Sequence, residues 1–61
     1  MSAYRYGQTV TLPARLSTEP GVTQTATVKF VDEIRGYVHV PHAGYIVTVG
    51  FEELDAAVRA Q

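Results

Sequence analysis

The chain has 61 residues, a formal net charge of -1, a sequence pI near 6.0, and 46% hydrophobic against 18% charged residues. That is the composition of a folded globular chain, and its five cationic side chains give no broad electrostatic footprint for a polyanion. There is no cysteine to staple a small fold, and no apolar run approaches the roughly 20 residues a spanning helix needs, so a cytoplasmic protein acting away from membranes is expected.

Residues 1–61 read as one domain. A chain this short buries only about 60% of its unfolded surface, so either its packing is efficient or a partner adds to it. The N-terminal segment, 1–6, carries Tyr4 and Tyr6 and is expected to pack on the rest. Gly7 punctuates, and residues 8–49 hold the strands. Thr9 to Leu16 alternates, with Val10, Leu12, Ala14 and Leu16 on one side and Pro13 marking an edge or a bend. Ser17 to Gly21 is a loop in which Pro20-Gly21 suits a type II turn. Thr23, Thr25 and Thr27 then line the outer row of the next strand.

Thr25 to Val49 organises the chain as a three-stranded antiparallel meander. With a five-residue first loop, Phe30 opposes Val38, Val28 opposes Val40 and Lys29 opposes His39. With Pro41-His42-Ala43-Gly44 as the second turn, Val40 opposes Tyr45, Val38 opposes Val47, His39 opposes Ile46 and Tyr37 opposes Thr48. Alternation then puts Ala26, Val28, Phe30, Val38, Val40, Tyr45, Val47 and Val49 on the core face. Lys29, Val31, Tyr37, His39, Ile46 and Thr48 fall on the outer face, which is more apolar than solvation requires.

After Gly50 the period changes to 3.6, and 51–60 reads as a short helix with Phe51, Leu54 and Val58 on one stripe. Glu52 and Glu53 near its start and Arg59 near its end complement the helix dipole. Too short to persist alone, it must dock on the sheet or on a partner.

Gly7-Gln8-Thr9-Val10 as a first strand, and Val47-Thr48-Val49 followed by Phe51-Glu52-Glu53-Leu54 as the exit, resemble the SH3-like small barrel in outline. The resemblance covers about Tyr6 to Val58 and implies a mainly-β fold: a small SH3-like barrel of four to five antiparallel strands with a short C-terminal helix. Members of that superfold include nucleic-acid-binding and peptide-binding modules, enzyme accessory subunits and dimerisation domains, so the outline does not select a function. Peptide-binding members carry a tryptophan in their groove, and this chain has none.

His39 and His42 are the only imidazoles. A strand-to-turn placement sends their rings apart, and no third ligand is evident, so no metal or other cofactor is expected. The reading that fits better puts His39 on the outer face, where an imidazole can make binding pH-dependent. Glu52, Glu53 and Asp55 have a structural reason to open a helix, and no serine or threonine has a base and a carboxylate to activate it. A catalytic role and a small-molecule substrate are therefore not expected.

The residues read as the protein-binding set are Lys29, Val31, Tyr37, His39, Ile46 and Thr48. They imply a non-catalytic interaction module that binds a larger protein or forms a homodimer, of the kind a phage or mobile element uses to modulate a host protein. The bland reading is that the N-terminal segment or the helix covers this face as a second small core. One alternative is a nucleic-acid-binding barrel using Arg5, Arg15, Lys29 and Arg35 on phosphates and Tyr37 and Tyr45 as stacking platforms. Another is an accessory domain of a larger enzyme.

Overall fold

Threonine, valine and phenylalanine crowd residues 25–31, a composition that favours extended backbone, and the chain divides this run between two sheets. The computed structural model describes residues 4–19 and 21–59. Its elements are β1 (Thr9–Thr11), β2 (Thr25–Thr27), β3 (Phe30–Asp32), β4 (Tyr37–His42), β5 (Tyr45–Gly50) and α1 (Phe51–Arg59). β1 pairs with β2, while β3, β4 and β5 form a second antiparallel sheet in that order. The architecture is mainly β with a short C-terminal helix, as expected, although the two sheets do not close into a full barrel. Among the described residues no helix is long and apolar enough to cross a membrane.

β2 and β3 are halves of one bent strand. Gly7 N–H donates to the Val28 carbonyl and Val28 N–H to the Gln8 carbonyl, both at 2.8 Å, whereas Lys29 N–H donates to the His39 carbonyl at 2.9 Å. The chain thus changes partner between Val28 and Lys29. Phe30 is also the Cα partner of His39, so two residues oppose one, the arrangement of a β-bulge. The bulge shifts the alternation by one residue. Val28 is fully buried, Val31 packs against the core, and Phe30 turns outward to 49% exposure.

This corrects two expected placements: Phe30 leaves the core and Val31 leaves the outer face. Val31, not Phe30, opposes Val38. The cause lies in the turn at residues 33–36, which is one residue shorter than expected. Asp32 shapes it by accepting Gly36 N–H at its carbonyl and Arg35 N–H at its side chain, each at 2.9 Å. Gly36 completes it at φ 79°, a conformation that a Cβ penalises.

The second hairpin turns on two residues, Ala43 and Gly44, at φ 51° and 84°. Such mirror-image turns match the strand twist. Its register differs from the expected one by two residues, with His39 opposite Thr48, Pro41 opposite Ile46 and His42 opposite Tyr45. A shift of two preserves the faces, so Val38, Val40, Val47 and Val49 still point inward. Tyr45, expected in the core, lies at the hairpin tip and is 77% exposed. Pro41 is tolerated within β4 because its missing N–H faces the side from which β3 has already turned away.

The first strand is shorter than its alternation implies. After Leu12 N–H donates to the Gln24 carbonyl at 2.8 Å, Pro13, with φ -66°, leads into a 3-10 turn at Ala14–Leu16. Pro13 is consequently buried and Ala14 exposed, the reverse of the expected pattern, while Leu16 packs on the core. Pro20 lies outside the described residues; around it, Val22 N–H donates to the Glu19 carbonyl at 3.2 Å and Gly21 has φ 79°.

Tyr4, Val10, Leu12, Val28, Val38, Val40, Val49 and Leu54 form one core between the two sheets and α1. Full burial of each valine or leucine stabilises the fold by about 1.5 to 3 kcal/mol. α1 begins where Phe51 N–H donates to the Gly36 carbonyl at 2.9 Å, and Glu53 turns back to Gly50 N–H as half of a capping box. Leu54 anchors the helix, while Val58, expected on the same stripe, is exposed. Tyr4 packs against Phe51 with the rings tilted and their centroids 5.2 Å apart, and its hydroxyl donates to the Asp55 carboxylate. Burial together with that bond pushes the Tyr4 phenol up to about 12.

Candidate functional site

The outer face of the β3-β4-β5 sheet is set by the bulge and by the register of the second hairpin. Across it, Phe30, His39 and Thr48 form one row, because Phe30 and Thr48 are the two cross-strand partners of His39. Pro41 and Ile46 form the adjoining row, and Tyr37 lies two residues along β4 on the same side. The three rings touch: Phe30 and His39 have centroids 5.2 Å apart, as do His39 and Tyr37, the latter pair edge to face. Such contacts fix aromatic groups in place beyond their area burial. Thr48 Oγ1 lies 3.1 Å from His39 Nδ1 and orients the imidazole.

Phe30 remains 49% exposed and Ile46 63% exposed, so packing among the described residues leaves this face open. The expected alternative, a cover made by the N-terminal segment or the helix, is not what the described residues form. Tyr4 packs into the core against Phe51, Tyr6 is exposed, and Leu54 directs α1 to the core. Residues 1–3 and 60–61 lie outside the described residues.

Charge borders the face without crossing it. Asp32 pairs with Arg35 at 4.0 Å, and the Arg35 N–H, with help from the Tyr37 hydroxyl, holds the Asp32 carboxyl below its ordinary range. Beyond β5, Arg15 reaches from the 3-10 turn to Glu53, with Nη2 2.9 Å from Oε1, and Nη2 also meets the Thr48 carbonyl at 3.3 Å. This guanidinium depresses the Glu53 carboxyl. Lys29 is exposed at the bulge.

Of the sequence-derived set, Tyr37, His39, Ile46 and Thr48 share the outer face, Lys29 stands at its border and Val31 belongs to the core side. Phe30 and Pro41 join the face although sequence alternation did not place them there. The signal for Phe30 was the Asp32-to-Gly36 spacing, which closes a four-residue turn and moves the register by one. Of the nucleic-acid set, Lys29, Arg35 and Tyr37 lie on or beside this face, whereas Arg5 lies on the turn at residues 5–8, Arg15 is held by Glu53, and Tyr45 falls on the opposite face of the sheet from Tyr37. His39 and His42 also fall on opposite faces of β4, and among the described residues no group of three or more potential metal-ligating side chains gathers. In comparisons with known proteins, no family model, curated protein or solved structure matches this chain.

Proposed function

We propose that the chain is a small non-catalytic protein-interaction module that binds through the outer face of the β3-β4-β5 sheet. The observation that carries this reading is the contiguous cluster of the Phe30, His39 and Tyr37 rings on the face that also carries exposed Ile46. Ordered aromatic groups with an aliphatic neighbour and a charged border have the make-up of an interface centre and its rim. The expected cytoplasmic setting is carried forward with this proposal.

The test is capture by the tagged chain from a lysate of the source cells, with and without nuclease, beside the Phe30→Ala and Ile46→Asp variants. A discrete protein retained after nuclease and lost with both folded variants supports the reading. Equal capture by the variants removes it. A second reading, stacking of single-stranded nucleic acid on the same rings, is favoured by their place on an open sheet face. It predicts material lost on nuclease and affinity that falls with salt.

A further inference from the structure

We infer that the outer face binds its protein partner with His39 neutral, so that mild acid weakens the complex. The inference rests on the proposed interaction reading and adds its regulation. His39 stands at the centre of the aromatic cluster. It is half-buried, its ring centroid lies 5.2 Å from those of both Phe30 and Tyr37, and its Nδ1 is 3.1 Å from the Thr48 hydroxyl. An apolar partner laid over exposed Phe30 and Ile46 takes this imidazole out of water with them.

The neutral ring tolerates that burial, since Thr48 already satisfies one of its nitrogens. The imidazolium does not. Both of its ring nitrogens donate; Thr48 can serve Nδ1, but among the described residues nothing accepts from Nε2. The charge itself also resists leaving water.

No carboxylate of the neighbouring elements is placed to compensate it. On the β3 side Asp32 is engaged by Arg35 and the Tyr37 hydroxyl, Glu33 lies exposed in the turn, and Lys29 at the bulge is another cation. On the β5 side Thr48 has Arg15 at its carbonyl, and Glu53 is paired with that guanidinium. β4 itself adds the Tyr37 phenol, while His42, the other imidazole, falls on the opposite face. The solvated free chain thus holds a proton on His39 more readily than the complex does, and by linkage that proton opposes binding.

The experiment purifies the protein that the tagged chain retains after nuclease and measures its Kd with the chain at pH 7.5 and 6.0, a span in which imidazole is the side chain that ordinarily changes charge. Excluding one imidazole proton from the complex should weaken binding about fourfold at the lower pH. His42→Gln should keep that ratio. His39→Gln and His39→Phe, neutral throughout and checked as folded by circular dichroism, should bind equally at both pH values. Four results overturn the inference and leave the interaction reading standing: equal affinity of the unsubstituted chain at both pH values, tighter binding in acid, a ratio that survives both His39 substitutions, or loss of binding by both folded variants. If no protein is retained at all, the interaction reading fails and this regulation falls with it.

Discussion

Phe30 and His39 are cross-strand partners with ring centroids 5.2 Å apart, and their pairing exists because Lys29 and Phe30 together oppose a single residue of β4. The bulge gives the core Val31 and gives the outer face an aromatic ring. It links a local irregularity of the backbone to the composition of the candidate interface.

Phe30→Ala should therefore cost about 1 kcal/mol or less, the range for a substitution outside the core. Leu54→Ala, which empties a site only 1% exposed, should cost about 2 to 5 kcal/mol. Urea denaturation of both variants checks the contrast. A larger loss for Phe30→Ala would return that ring to the core.

Ala43 adopts φ 51° at the first position of a mirror-image turn, where a Cβ is strained. Ala43→Asn, giving the preferred Asn-Gly pair, should stabilise the hairpin by up to about 1 kcal/mol. In a domain this small that raises Tm by about 4 to 8 °C, measurable by calorimetry.

The Tyr4 phenol is raised from its ordinary 10.0 to about 12 in the folded chain. A raised acid favours its protonated form in the native state, so its contribution is complete below pH 10 and is lost as pH climbs through about 12. Tyr4→Phe keeps the ring against Phe51 but has no proton to lose. Its stability should start lower and decline less steeply across this window, as circular dichroism at a series of alkaline pH values would show.

Glu53 responds in the opposite direction. The Arg15 guanidinium depresses its carboxyl, so this contribution is present above the ordinary glutamate range and disappears as pH falls through the lowered value. Glu53→Gln should reduce stability at neutral pH and flatten the acid limb of the profile. Since the pair is solvent-accessible, the effect should be small and shrink further in salt.

Much of the fold was legible in the residues. The alternation of Val38, Val40, Val47 and Val49 identified core positions, and the change of period after Gly50 located α1. A two-residue register shift at the second hairpin left those assignments intact. Phe30 was not legible in the same way. Alternation assumes an unbroken strand, whereas the partner change between Val28 and Lys29 depends on Gly7 and Gln8, distant in sequence. Likewise Thr9 to Leu16 alternates throughout, but the 3-10 turn after Pro13 overrides the pattern. Tyr37, His39, Ile46 and Thr48 could be grouped from β4 and β5 alone because no bulge intervenes between these strands.

Binding through the outer face is tested by placing a photo-reactive benzoylphenylalanine at position 30, with a control at exposed Glu19, and irradiating the chain in a lysate of its source cells. An interface at this face gives a discrete protein adduct from position 30 and none from position 19. No adduct from position 30, equal adducts from both, or an adduct to nucleic acid alone would contradict it.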